Sequence, residues 1–169
     1  MESRVICVVD MLSRMAIPRI FISSTFYDLK YIRADLDVFI RQQGYEPVRN
    51  ERGSIPFASD VELEQSCYRE VANCDMLISI IGGRYGTASK HDDASISQKE
   101  LRKAIEQGKQ VFIFVERSVR HDHRTYLRNP QNETIVYPSV EDVRIHKFIA
   151  EVDALPINNA AFEFESAAD

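Results

Sequence analysis

The feature that most restricts this chain is a repeated alternation of two periodicities. Short apolar runs, Ile20-Phe21-Ile22, Met76-Leu77-Ile78-Ser79-Ile80-Ile81 and Val111-Phe112-Ile113-Phe114-Val115, are separated by stretches in which apolar residues recur every three or four positions. The first such stretch carries Leu29, Ile32, Leu36, Phe39 and Ile40, with Lys30, Arg33, Asp37 and Arg41 on the opposite face. Leu63, Cys67 and Val71 form a second stripe, and Leu101, Ala104 and Ile105 a third, closed by Gly108. A strand as apolar as Met76 to Ile81 needs cover on both faces, which a parallel sheet between helices supplies. Tyr45-Glu46-Pro47-Val48 reads as a further short strand, and Pro47 sends it to an edge because it has no N–H for a ladder. The prediction is an α/β fold: a three-layer, flavodoxin-like open parallel sheet in the order 2-1-3-4, with room for a fifth strand and helices on both faces.

That strand order also predicts where a ligand binds. In open α/β sheets the crevice lies beyond the carboxyl ends of the strands, at the point where the order reverses, here between the first and third strands. Two loops meet there. Ser23, Ser24, Thr25 and Phe26 bring three hydroxyls to a helix start whose N–H groups are unpaired, a combination suited to sugar or phosphate oxygens. Thr25 to Asp28 also has the form of a capping box, so the same residues could simply cap the helix. Gly82, Gly83, Arg84, Tyr85 and Gly86 let backbone approach a ligand, Arg84 adding a guanidinium fork and Tyr85 a stacking face; a tight strand exit is the structural alternative. Glu100 lies in the first turns of the helix after the third strand, where a carboxylate can reach a bound sugar. Ser97-Gln98-Lys99-Glu100 is a capping box too, so capping competes here as well.

Composition narrows the function further. The chain has 169 residues, enough for one core; 21 Lys and Arg against 26 Asp and Glu give a net charge of −5, the wrong sign for coating phosphate backbones. Nucleic acid is therefore not an expected partner. Cys7, Cys67 and Cys74 have no metal-ligand spacing and read as reduced thiols. Val5 to Val9 is too short to span a membrane, so a cytoplasmic protein without membrane contact is expected. His121-Asp122-His123 with His91, Asp92 and Asp93 lacks a metal-binding pattern, and neither a metal nor a cofactor is expected. Residues 117 to 140, with Arg117, Arg120, Arg124 and Arg128 and an Asn129-Pro130 break, read as loop with a basic stripe. Val143, Phe148, Ile149 and Val152 support a last helix from near Ser139. The expected organisation is an extension over 1–17, a core over 18–118, and a C-terminal extension over 119–169. The apolar tail from Ala160 to Glu165 needs something to pack on, which suggests a longer chain.

Several of these segments carry a family resemblance. Arg19 to Leu29, Cys74-Asp75-Met76-Leu77-Ile78, the loop Gly82 to Gly86, and Ser97 to Leu101 followed by Gly108-Lys109 occur in the order seen in an uncharacterised TIR-like domain. The chain resembles that family over about residues 18 to 155. Such domains stand at the N-termini of multidomain signalling and defence proteins, often ahead of a NACHT-type NTPase and helical repeats. Their wider group includes TIR domains and nucleoside 2-deoxyribosyltransferases, in which a glutamate after the third strand acts on a ribosyl centre. The resemblance implies that Glu100 is this glutamate and that NAD⁺ is a candidate substrate, cleaved at its nicotinamide N-glycosidic bond. It implies that Ser23, Ser24, Thr25 and Phe26 with Gly82, Gly83, Arg84 and Tyr85 hold sugar and phosphate, and that the module works through self-association. A non-catalytic interaction module and a deoxyribosyltransferase are the alternatives. The glycine-rich loop departs from the transferase pattern, carrying Arg84-Tyr85 where an acidic residue is expected.

Overall fold

The computed structural model describes residues 17–25, 27–49, 60–89, 93–132, 134–157 and 160–166, without side chains for 60–64. Five parallel strands run β1 Arg19–Ser24, β2 Glu46–Arg49, β3 Met76–Ile81, β4 Gln110–Glu116 and β5 Ala161–Phe164. Their order is β2-β1-β3-β4-β5, the flavodoxin-like arrangement, with the proline-bearing β2 at one edge. Among the described residues the helices are α1 Lys30–Gln42, α2 Asp60–Asn73, α3 Ile96–Glu106, α4 Arg117–Arg128 and α5 Val143–Asp153.

Strand pleating divides the core in two. Phe21, Leu77, Ile81, Val111, Ile113 and Val115 point to one face and pack with residues of α2 to α5, among them Val71, Leu101, Ala104, Val119, Ile145, Phe148 and Ile149. Ile20, Ile22 and Ile80 point to the other, where Leu29 and Ile40 cover them. The chain thus crosses from one face to the other between α1 and α2, which makes the boundary of β1 and β3 the switch point.

Four expectations are corrected. The segment 117 to 140 is not mostly loop, because its first part is α4. Arg117, Arg120 and Arg124 lie on that helix and pair with Glu165, Asp153 and Glu163, so the basic stripe faces acids of the chain's own C-terminal part. The last helix begins at Val143, capped by the Asp142 carboxylate on Arg144 N at 2.8 Å, rather than near Ser139. Ser23 and Ser24 belong to β1 rather than to the loop after it: Ser23 pairs with Ser79, and Ser24 with Ile80. Beyond residue 118, β5 pairs with β4 from Ile113 to Glu116, and α5 contributes Ile145, Phe148, Ile149 and Val152 to the main core. The extension 1–16, and Cys7 within it, lies outside the described residues.

Candidate functional site

Glu100 is the centre of the site. It lies on the core-facing side of α3, is 4% exposed, and accepts a hydrogen bond from Ser23 Oγ at 2.6 Å. The competing capping role is absent, because α3 is capped by Ser95, whose hydroxyl accepts from Gln98 N at 3.2 Å. Burial raises the Glu100 pKa to about 7, while the Ser23 hydroxyl, the Arg33 guanidinium and the Cys67 thiol act in the opposite direction. This carboxyl therefore titrates near neutrality.

Arg33 approaches from the other face of the sheet. The periodicity assigns it to the polar side of α1, yet it is 2% exposed and donates from Nη1 to Ser24 Oγ at 2.7 Å and to Ile22 O at 3.4 Å. Phe39, assigned to the apolar stripe, is exposed instead. A signal for this exchange is present in the sequence: Arg33 is four residues after Leu29 and three before Leu36, on the stripe itself. Consecutive strand residues thus serve opposite partners, Ser23 turning to Glu100 and Ser24 to Arg33, so the carboxyl end of β1 is held by an acid on one side and a base on the other.

These groups border a cleft of about 510 Å³, a size suited to a small-molecule ligand. Its walls include Ser24, Thr25, Arg33, Arg84 and Glu100, with Tyr27, Asp28 and Glu141. The expected residues therefore separate into groups. Ser24, Thr25, Arg84 and Glu100 line the cleft; Ser23 lies behind it, holding Glu100. Thr25 donates to Asp28 Oδ1 at 2.5 Å, but this does not cap α1, whose N-cap is Leu29 without a side-chain bond. Phe26 lies outside the described residues.

The glycine-rich loop shapes the cleft more than it lines it. A Cβ on Gly82 would meet Asp28 Oδ2 at 2.7 Å, one on Gly83 would strike Ser139 O, and Gly86, at φ +76°, sits against Thr25. Of these only Gly86 reaches the cleft wall. Tyr85 is placed away from the cleft lining: it is 9% exposed, its hydroxyl donates to Asp93 O, and Arg144 lies 3.9 Å from its ring centroid. Among the described residues, the exposed aromatic ring at the cleft is that of Tyr27.

Glu141 joins the site from a distant part of the chain. Its N–H donates to Gly83 O at 2.9 Å and its carboxylate pairs with Arg84 Nε at 3.1 Å, while Ser139 N donates to Asp122 Oδ2 at 2.8 Å. A segment that follows α4 thus brings an acid to the loop after β3, which no local pattern could indicate. Asp122, which holds this segment, and His123 are both buried, and among the described residues no cluster of three or more His, Cys, Asp or Glu could hold a metal ion. No helix among the described residues is long and apolar enough to cross a membrane.

The fold and cleft define an α/β domain with a buried acid at the switch point of its sheet. The chain belongs to the DUF4062 family, a domain of unknown function, whose family profile matches residues 19–169. Among solved structures it is similar to a 2-desoxiribosyltransferase from Leishmania mexicana, with 14% identity, a TM-score of 0.47, and coverage of 85% of this chain and 91% of that one. No curated protein matches.

Proposed function

We propose that this domain cleaves the N-glycosidic bond of a ribosylated ligand, with NAD⁺ and its nicotinamide-ribosyl fragments as candidate substrates. The observation that carries this reading is the placement of Glu100: a buried carboxyl on the wall of a ligand-sized cleft, held by Ser23 rather than used as a cap. As the C1′–N bond breaks, its electron pair leaves with nicotinamide and positive charge develops on the ribose. An ionised Glu100 either stabilises that charge until water adds to C1′ and loses a proton, or bonds to C1′ as an ester, whose C1′–O bond then breaks as water attacks C1′ and loses a proton, so that the Glu100 carboxylate is regenerated. Ser24 and Thr25 offer hydroxyls to the sugar, Tyr27 a face for the base, and Arg84 a contact for phosphate only where the ligand displaces its Glu141 partner.

A second reading, favoured by the acid-rich cleft, is transfer of a deoxyribosyl group between bases, with Glu100 in the same role and a base replacing water. Incubation with a deoxynucleoside and a different free base distinguishes the two, because only transfer yields a new nucleoside. The proposed setting is cytoplasmic, in keeping with Cys67 and Cys74, which are buried and form no disulfide among the described residues. Self-association within a longer signalling protein, in the manner of the TIR-like, NACHT-linked proteins it resembles, is the proposed mode of activation. Nicotinamide release by the wild-type protein and by Glu100→Gln, each tested alone and in assembled form, is the experiment that decides the enzymatic reading.

A further inference from the structure

The cleft has few cations to offer. Its described lining residues include Arg33 and Arg84 as bases against Asp28, Glu100 and Glu141 as acids. Arg33 is buried and engaged by Ser24 and the carbonyl of Ile22. Arg84, about half exposed, is therefore the guanidinium best placed for a ligand's anionic group, and Glu141 is paired with it. This acid is not a chance surface neighbour, because its backbone is bonded to Gly83 O and Ser139 just before it is anchored on Asp122.

We propose that Glu141 is a specificity determinant that holds Arg84 and sets the cleft against phosphorylated ligands, so that neutral or cationic nucleosides are preferred over their phosphate esters. The inference rests on the ribosyl-ligand reading above. A phosphate reaching Arg84 must displace the Glu141 carboxylate and then remain close to it, whereas an unphosphorylated sugar leaves the pair intact.

The test measures binding alone, by calorimetry at low salt, in the Glu100→Gln protein so that no turnover interferes. Nicotinamide riboside and nicotinamide mononucleotide are the probes, since they differ only by a phosphate. Glu141→Gln in that background is expected to raise the affinity ratio of mononucleotide to riboside by about fivefold, the scale of one exposed charge pair. Adding Arg84→Met should abolish that gain. A ratio unchanged by Glu141→Gln overturns this inference while leaving the nucleoside reading in place. Failure of both probes to bind the cleft overturns the nucleoside reading, and this inference with it.

Discussion

Ser23 Oγ donates to Glu100 Oε2 at 2.6 Å, tying the end of β1 to the second turn of α3 through a pair in which both residues are buried. A buried acid in this position is a cost to the fold, and that cost separates a functional carboxylate from a structural one.

Glu100 has its folded pKa raised from 4.5 to about 7. Its contribution to stability is therefore fully present below pH 4.5 and is lost as pH rises through 7. Glu100→Gln removes the ionisation and should stabilise the protein at pH 8 by about 1–3 kcal/mol, with the gain vanishing near pH 4. Urea unfolding at the two pH values checks this. Loss of stability at pH 8 would mark the carboxylate as a structural element.

Catalysis by the ionised form should increase with pH through about 7. Ser23→Ala removes a donor that favours the carboxylate, and Arg33→Met a cation that does the same, so both variants should shift the midpoint upward by roughly 0.5–1 unit. The pH–rate profile measures this, and ¹³C NMR titration of Glu100 provides the same reading without turnover.

Gly83→Ala should destabilise the domain by about 2–4 kcal/mol, because the added methyl would run into the Ser139 carbonyl, a backbone atom with little room to yield. Thermal and urea unfolding measure the loss. The same change at Gly44, whose Cβ would meet nothing within 4 Å, meets only the strain of φ +83° and should cost less.

His123 and His146 are fully buried, their rings 5.6 Å apart, and none of their four ring nitrogens has a hydrogen-bond partner among the described residues. Burial lowers both pKa values, that of His123 to about 4, with Asp153 opposing and Arg120 and His146 reinforcing the shift; at His146 only Asp122 opposes it. Near neutral pH both rings are uncharged in the fold, so the stability they lend is present above pH 6.5 and is lost as pH falls below it, for His123 through about 4. His146→Phe retains the stacking with Tyr126 at 4.6 Å and should move the acid unfolding midpoint to lower pH by circular dichroism. An unchanged midpoint would mean that other groups govern acid unfolding.

Much of the fold is legible because each covered strand must be apolar on both faces, as Met76 to Ile81 is, and Pro47 by itself sends β2 to an edge. Helix α4 escapes this logic. Its arginines recur at helical spacing, but its inward side is built of Val119, Asp122 and His123 rather than an aliphatic stripe. The switch-point crevice and the placement of Glu100 could be read from strand order. The charge of Arg33 points to solvent while its position lies on the apolar stripe, and the burial of Tyr85 has no signature in a loop sequence. Glu141 reaches the cleft only through the return of the chain after α4, a tertiary relationship without a local signature.

The central claim is that Glu100 acts on a glycosidic bond, and nicotinamide release from NAD⁺ and nicotinamide riboside tests it most directly. Wild-type protein, assembled on an oligomerising fusion and also unfused, should release nicotinamide from at least one of the two, with a rate at least ~100-fold lower in Glu100→Gln. Equal release by the two proteins, or none from the assembled wild type, would contradict it.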